Sequence, residues 1–345
     1  MNKSKIKCVV WDLDNTVWDG VLLETEQVQL KEHVPEVIKE LDRRGILQSI
    51  SSKNEFEPAK KKLEEFGLWE YFIYPEINWN AKSQSIESIA KSINIGIDTL
   101  AFIDDQEFER EEVNFSIPDV LTIDAADIDK VLNLERMMPT FVTEDSKKRR
   151  KLYQTDIVRN NIEKEFSGTK GEFLASLQIK MEITLGEDKD LKRMEELTVR
   201  THQLNSTGYV YSYEELKWFI SSDKHEVIVA KLSDKYGDYG KIGLSLIEKK
   251  EEYWEIKLLL MSCRVMSKGV GNVMLNYIIN LAREHGVSVR AQFVPTDRNR
   301  IMYITYKFNG FNEVQNEENL IVFEADTSYE RQIPEYITLV GKVGI

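Results

Sequence analysis

The run from Ile6 to Trp11 is apolar apart from Lys7, and its polarity switches abruptly at Asp12. A short run of this kind, rich in β-branched residues, predicts a strand buried on both faces, as in a parallel sheet. No other feature constrains the fold as much, because parallel strands cannot be joined by tight turns and need helical crossovers. Asp12 and Asp14 then stand at a strand's C-terminal end, where open α/β sheets bind their ligands. Leu13 between them is free to anchor the turn, so the two carboxylates can converge on one hard divalent cation and one phosphoryl group.

The same pattern returns twice. Gly45 to Asn54 reads as a second strand ending in Ser51 and Ser52, and Leu100 to Asp105 as a third ending in paired acids. Helical patterns fill the intervals, from Pro35 to Arg44 with Gly45 as the stop, from Glu57 to Phe66 before Gly67, and from Ser83 to Ile93 before Gly96. The segment Asn78-Trp79-Asn80-Ala81-Lys82 places a lysine just before the third helix.

In order, Asp12-Leu13-Asp14-Asn15-Thr16, Ser52, Lys82 and Asp104-Asp105 resemble the four motifs of the haloacid-dehalogenase-like (HAD) superfamily. The resemblance implies that Asp12 is a nucleophile toward phosphorus and Asp14 the acid and base. It implies that Ser52 and Lys82 hold the phosphoryl group, and that Asp12, the Asp14 backbone carbonyl and Asp104 bind Mg²⁺ with Asp105 shaping the shell. Neither inter-motif interval has room for an inserted domain, so this is a HAD unit without the usual large cap. Its site is expected to be open, which suits a macromolecular partner, or closed by the second half of the chain.

At 345 residues, 42% hydrophobic and 30% charged, the chain has room for two domains with proper cores. No apolar run approaches the roughly 18 residues of a membrane span, and the N-terminus enters the first strand without a signal peptide, so the expectation is a cytoplasmic protein away from the membrane. The net charge of -13 argues against general nucleic-acid binding. Cys8 and Cys263 lie in different regions and form neither a disulfide framework nor a metal cluster.

We expect a first domain over 1–140, a helical linker over 141–171 and a second domain over 172–345. Met137-Met138-Pro139-Thr140 reads as the boundary. The run Lys147-Lys148-Arg149-Arg150-Lys151 reads as a solvated helix face or as a docking patch for an acidic carrier protein. Gly168 to Gly171 reads as a short loop. Beyond it the order becomes a strand (Ile179 to Leu185), two helices (Asp188 to Thr201 and Ser212 to Ser221), and a three-strand meander within Glu226 to Met261. Ser212 and Glu215 suit a capping box. A helix from Gly271 to His285, a strand from Val287 to Val294, a helix from Asn299 to Asn309 and a strand from Leu320 to Ala325 follow.

This second order resembles the GCN5-related N-acetyltransferase (GNAT) fold over about 172–326, giving a capless HAD-like Rossmannoid α/β domain followed by a GNAT-like α+β domain. In that fold the acyl-carrier pyrophosphate is held by the turn before a helix, which here is Cys263 to Gly271 with Arg264, Gly269 and Gly271 as candidate binding residues. Met266 replaces the basic or amide residue that opens the family's signature, although Arg264 and Lys268 supply charge. Phosphopantetheine on a carrier protein is the alternative occupant.

The two halves together, with Trp11 to Gly20, Ser52-Lys53-Asn54, Glu109-Arg110-Glu111, Arg200 to Asn205, Gly237-Asp238-Tyr239-Gly240 and Ser262-Cys263-Arg264-Val265, resemble the FkbH-like family. The resemblance implies capture of the glyceryl group of 1,3-bisphosphoglycerate, release of phosphate, and loading of the glyceryl group onto an acyl carrier protein as a thioester for polyketide assembly. It adds Asn54 and Arg110 to the candidate substrate-binding residues. Where this family reads Cys-Ser-Lys-Asn and carries the acyl group on the Cys, this chain has Ser51. A thiolate is far better suited to that task than an alcohol without a base. Ser51 is therefore a replacement that traps an intermediate, a natural alternative nucleophile, or the mark of a protein that only dephosphorylates. Two other readings stay open: a phosphatase whose second domain is a carrier-binding platform, and a fusion with CoA-dependent acyl transfer. Cys8 is expected to be inert core, and Cys263 a buried structural thiol.

Overall fold

The computed structural model describes residues 4–25 and 27–341, in two compact units, 1–154 and 155–345. The first unit is built in the order β1 (Cys8–Trp11), β2 (Trp18–Asp19), β3 (Gln29–Leu30), α1 (Val34–Arg43), β4 (Leu47–Ser52), α2 (Phe56–Glu65), β5 (Glu76–Ile77), α3 (Lys82–Ile93), β6 (Leu100–Asp104), α4 (Glu107–Ser116), β7 (Leu121–Asp124) and α5 (Glu144–Lys147), with the first turns of α6 (Arg149–Glu165). Strands β5-β4-β1-β6-β7 form one sheet, parallel throughout, and β2 pairs with β3 in a small separate ribbon. All four residues of β1 are buried, and it is the central strand of the sheet, between β4 and β6. Helix α1 shows how the cover is made: Val34, Val37, Ile38 and Leu41 recur at three- and four-residue spacing and are buried. Burying side chains of this size contributes about 1.5–3 kcal/mol each.

Register fixes the site. Trp11 pairs with Ile50 on one side and Ile103 on the other, so the next residues, Asp12, Ser51 and Asp104, come level at the C-terminal edge of the sheet. Between β1 and β4 the described residues hold only the β2–β3 ribbon and α1, and between β4 and α3 only α2, a short 3-10 turn and β5. No inserted domain covers the edge among them, as the motif intervals require.

The segment after Val120, for which the sequence suggested no strand, supplies a fifth parallel strand, β7, paired with β6 from Ala101–Leu121 to Asp104–Asp124. The basic run is neither a solvated face nor a docking patch at its arginines, which are buried. Arg149 Nη1 donates to the Gly45 carbonyl at 2.7 Å. Arg150 donates to both Asp42 carboxylate oxygens at 3.0 and 3.3 Å and to the Glu70 carbonyl at 2.8 Å, with its guanidinium 4.6 Å from the centre of the Tyr71 ring. A buried charge persists only when paired or hydrogen-bonded, and inside the first unit Arg150 has the Asp42 carboxylate and Arg149 the Gly45 carbonyl.

The second unit contains α7 (Lys170–Ser176), β8 (Ile179–Leu185), α8 (Leu191–Arg200), α9 (Tyr213–Ile220), β9 (His225–Asp234), β10 (Gly237–Lys249), β11 (Tyr253–Met261), α10 (Val270–Glu284), β12 (Ser288–Phe293), α11 (Arg300–Phe308), β13 (Phe311–Glu317), β14 (Leu320–Ala325) and β15 (Ile337–Val340). Its sheet runs β13-β14-β12-β11-β10-β9-β8-β15, antiparallel except for the β11–β12 and β8–β15 pairs. This is the GNAT-like arrangement. Ser212 and Glu215 make the expected capping box on α9. The expected Gly168 to Gly171 loop is shorter than read, because Thr169 and Glu172 form a second capping box that starts α7 at Lys170. Apolar clusters cover both faces of the sheet, α10 and α11 contributing to one and α8 and α9 to the other. No helix among the described residues is long and apolar enough to cross a membrane.

Candidate active site

The turn after β1 is held from within. Leu13 is fully buried, and its carbonyl accepts the backbone N–H groups of Thr16, Val17 and Trp18. Asn15 takes a positive φ of 55°, and its side-chain oxygen accepts the Gly20 N–H at 3.0 Å. The left-handed region suits Asn better than most residues. Asp12 and Asp14 are thereby turned to different partners.

Asp12 is buried against Lys82, whose ammonium donates to Asp12 Oδ1 and, at 2.7 Å, to the Ser51 carbonyl. The same nitrogen lies 3.1 Å from Asp104 Oδ2. Asp12, Asp104 and Asp105 each offer a carboxylate oxygen, all within 4.8 Å of one another. Burial pushes the Asp12 and Asp104 carboxyls up from the usual carboxylate range, against the lowering pull of Lys82. Burial also works against the Lys82 ammonium, but the two aspartates hold its pKa above the ordinary lysine value.

These residues fit a hard divalent cation. Three carboxylates face one ammonium, which leaves a negative excess in a mostly buried place. Asp104 Oδ2 is buried 3.1 Å from the Lys82 ammonium, which it shares with Asp12. One ammonium does not offset three carboxylates in a buried place, and a hard cation would take up the remainder. Asp105 belongs to the cluster through its side chain, placed by Thr16, whose hydroxyl accepts the Asp105 N–H at 3.1 Å and donates to Asp105 Oδ1 at 3.4 Å.

The Asp14 side chain is outside that cluster. Its Oδ1 accepts the Trp18 indole N–H at 2.8 Å and the Leu22 N–H at 3.0 Å, and its Oδ2 accepts Asn54 Nδ2 at 3.0 Å. With two acceptor sites per oxygen, Oδ1 is filled and Oδ2 retains one position. Trp18 and Asn54 are thus the residues that aim Asp14. Trp18 was not among the sequence candidates, although a donor four residues after Asp14 in a tight turn is the signal that points to it.

The other candidates fall as follows. Ser51 and Ser52 are both buried at the end of β4, Ser51 at 1% exposure, and the Ser52 carbonyl accepts the Asn78 N–H. Arg110 supports the wall of the site: it donates to the Asp104 carbonyl at 2.8 Å and to Asp124 at 2.6 Å. Beside Ser52, Lys53 pairs with Glu109 at 2.6 Å. Arg264, Gly269 and Gly271 belong to the second unit. Arg264 donates to the Tyr239 carbonyl at 2.7 Å and lies 3.8 Å from Asp156. Gly269 caps α10 with a φ of 72°, a conformation that favours glycine whether or not a ligand binds there. Cys8 is fully buried, which pushes its thiol far up; Cys263 is half-buried.

No family model matches the chain. Magnesium-dependent phosphatase 1 of Homo sapiens is 30% identical over 119 residues, which span 29% of this chain and 68% of that protein. Among solved structures, the N-terminal part of the protein BF1531 from Bacteroides fragilis, containing a phosphatase domain complexed with Mg, is 30% identical with a TM-score of 0.34; the match covers 42% of this chain and 42% of that one. The ribosomal-protein-S18-alanine N-acetyltransferase of Escherichia coli is 14% identical with a TM-score of 0.35, over 43% of this chain and 95% of that one. The likeness to the human phosphatase spans two thirds of that protein, and the chain belongs to its family, the HAD-like phosphatases.

Proposed function

We propose that the first unit is a Mg²⁺-dependent phosphatase in which Asp12 attacks phosphorus. The observation that carries this reading is the convergence of Asp12, Lys82, Asp104 and Asp105 at one sheet edge, where three carboxylates share one ammonium. Asp12, Asp104 and Asp105 would hold Mg²⁺, which when bound supplies charge neutralisation to the phosphoryl oxygens. The Asp12 carboxylate forms a bond to phosphorus as the bond to the leaving oxygen breaks, giving an aspartyl-phosphate. Asp14 Oδ2, the oxygen with one position left, delivers the proton to the leaving group and later takes one from the attacking water. The Lys82 ammonium and Ser52 stabilise charge on the equatorial oxygens.

The finer reading takes its substrate and acceptor from the FkbH-like resemblance: a phosphorylated three-carbon acyl donor such as 1,3-bisphosphoglycerate, and a phosphopantetheinylated acyl carrier protein. A sheet edge without an inserted domain favours a macromolecular acceptor. The alternative is phosphate release alone, which an alcohol at Ser51 favours, since it is a weaker nucleophile than a thiolate.

The test is Asp12→Asn, which preserves volume and removes the nucleophile. Phosphate release from acyl phosphates and phosphomonoesters with Mg²⁺ should fall to background while the circular dichroism spectrum is unchanged. Undiminished turnover would exclude Asp12 as the attacking group.

A further inference from the structure

In the second unit, β11 pairs with β12 only from Tyr253–Ser288 to Ile256–Ala291. Beyond Ile256 the two strands run on without pairing, β11 to Met261 and β12 to Phe293. Facing strand edges left in this state carry N–H and C=O groups that need partners and invite an extended chain to add to them.

That addition is made by the chain itself, through Leu204–Ser206. Ser206 N donates to the Leu259 carbonyl at 2.9 Å, and Leu259 N donates to Ser206 Oγ at 3.0 Å. Met261 N donates to the Leu204 carbonyl at 2.9 Å, and Val294 N to the Ser206 carbonyl at 3.0 Å. One residue, Ser206, therefore ties β11 to the end of β12. Asn299 Nδ2 fixes the segment from below, donating to the Asn205 carbonyl at 3.0 Å and the Val294 carbonyl at 2.9 Å. Asn205 closes the following turn, its Oδ1 accepting the N–H groups of Thr207 and Gly208. Asn205 and Ser206 are fully buried.

We propose that Leu204–Ser206 takes the place of the arm of coenzyme A, and that the second unit binds neither CoA nor acyl-CoA. A diphosphate held at the Gly269–Gly271 entry of α10 would send its arm into the gap beside β11, because β11 ends at that entry. The arm is an extended chain with two amides, and amides in a closed gap need strand N–H and C=O groups to bond. The N–H and C=O of Leu259 and the N–H of Met261 are already bonded to the segment. The space that remains, bounded by Leu204, Leu259, Met261, Gly269, Gly271 and Met302, has a cavity volume of about 130 Å³. Pockets for ligands of drug size hold roughly 300–1,000 Å³. The second unit is thus a GNAT-like scaffold whose cofactor gap is occupied by its own backbone. This inference is independent of the chemistry proposed for the first unit.

Two measurements on the full chain test it. Isothermal titration with CoA and with acetyl-CoA should give no binding up to millimolar ligand. Hydrogen exchange should find the amides of Ser206, Leu259 and Met261 as slow as those of the paired strands, and unchanged by millimolar CoA. Micromolar binding of CoA, or fast exchange of 204–206 that slows when CoA is added, would overturn the proposal. The variant Asn205→Ala removes the side chain that closes the turn, and exchange at Leu259 and Met261 should quicken about tenfold or more. Unchanged exchange there would show that this segment is not what protects the two edges, and would also overturn it. Should that variant fail to fold, the wild-type titration and exchange decide the question alone.

Discussion

Replacing Lys82 by Met should move the stability and the Mg²⁺ response of the first unit in a way that separates electrostatics from packing. The side chains of Lys82, Asp12 and Asp104 are 3%, 8% and 1% exposed, so solvent screens them little. At the 3.1 Å between Lys82 Nζ and Asp104 Oδ2, an effective dielectric constant near 20 gives a gross attraction of about 5 kcal/mol. Deleting one partner of a buried pair costs about 3–5 kcal/mol net, because the remaining charges stay buried. For a domain of this size that corresponds to a melting temperature roughly 6–20 °C lower. Mg²⁺ would take up the stranded carboxylates without competing with an ammonium, so it should stabilise Lys82→Met more than it stabilises the unaltered chain. Activity should go the other way and fall by about 10²–10³, since the group that neutralises the phosphoryl oxygens is gone. Calorimetric melting of the full chain in EDTA and in Mg²⁺ reads the first effect, and phosphate release the second. If the variant melts with the unaltered chain in EDTA, and Mg²⁺ shifts both equally, the ammonium does not hold the carboxylate cluster together and the reasoning fails.

Chelation by EDTA should stop phosphate release and Mg²⁺ should restore it; full turnover in metal-free buffer would exclude the role given to Asp104 and Asp105. Ser51→Cys should create or greatly increase glyceryl loading of a carrier protein from 1,3-bisphosphoglycerate, with phosphate release changed much less, read by intact-protein mass of enzyme and carrier. Equal loading by both forms would assign the transfer to a route that does not pass through position 51. Arg150→Ala should destabilise the first unit by about 3–5 kcal/mol through loss of the Asp42 pair, measured by denaturant unfolding. A change under about 1 kcal/mol would mean that the arginine is a surface group after all.

The sheet edge that carries the candidate site was legible because buried parallel strands read as unbroken apolar runs, and each run stops where a candidate site residue begins. Asp12, Ser52 and Asp104 could be placed for that reason. What the sequence did not yield depended on directions rather than spacing. The Asp14 clamp arises from the tight turn that brings the Trp18 indole back to the carboxylate. The burial of Arg149 and Arg150 depends on Gly45, Asp42 and Glu70, all distant in sequence, so the run looked like any solvated cluster of charge. Strand β13 was missed because only Phe311 among its seven residues is buried, and an edge strand of that kind has no apolar alternation. The segment Leu204–Ser206 has no local pattern at all, since its partners are strand edges more than fifty residues away in sequence.

The absence of an inserted domain over the first unit among its described residues also bears on product yield. Unless another element excludes solvent there, an acyl group formed at that edge faces two competing acceptors, water and whatever partner is present. The outcome is then a partition ratio set by the partner's concentration. A hydrolase is indifferent to that ratio, whereas a group-transfer enzyme with this architecture depends on a partner that arrives faster than water reacts. Its transfer efficiency would rise and saturate with carrier concentration while phosphate release stayed level.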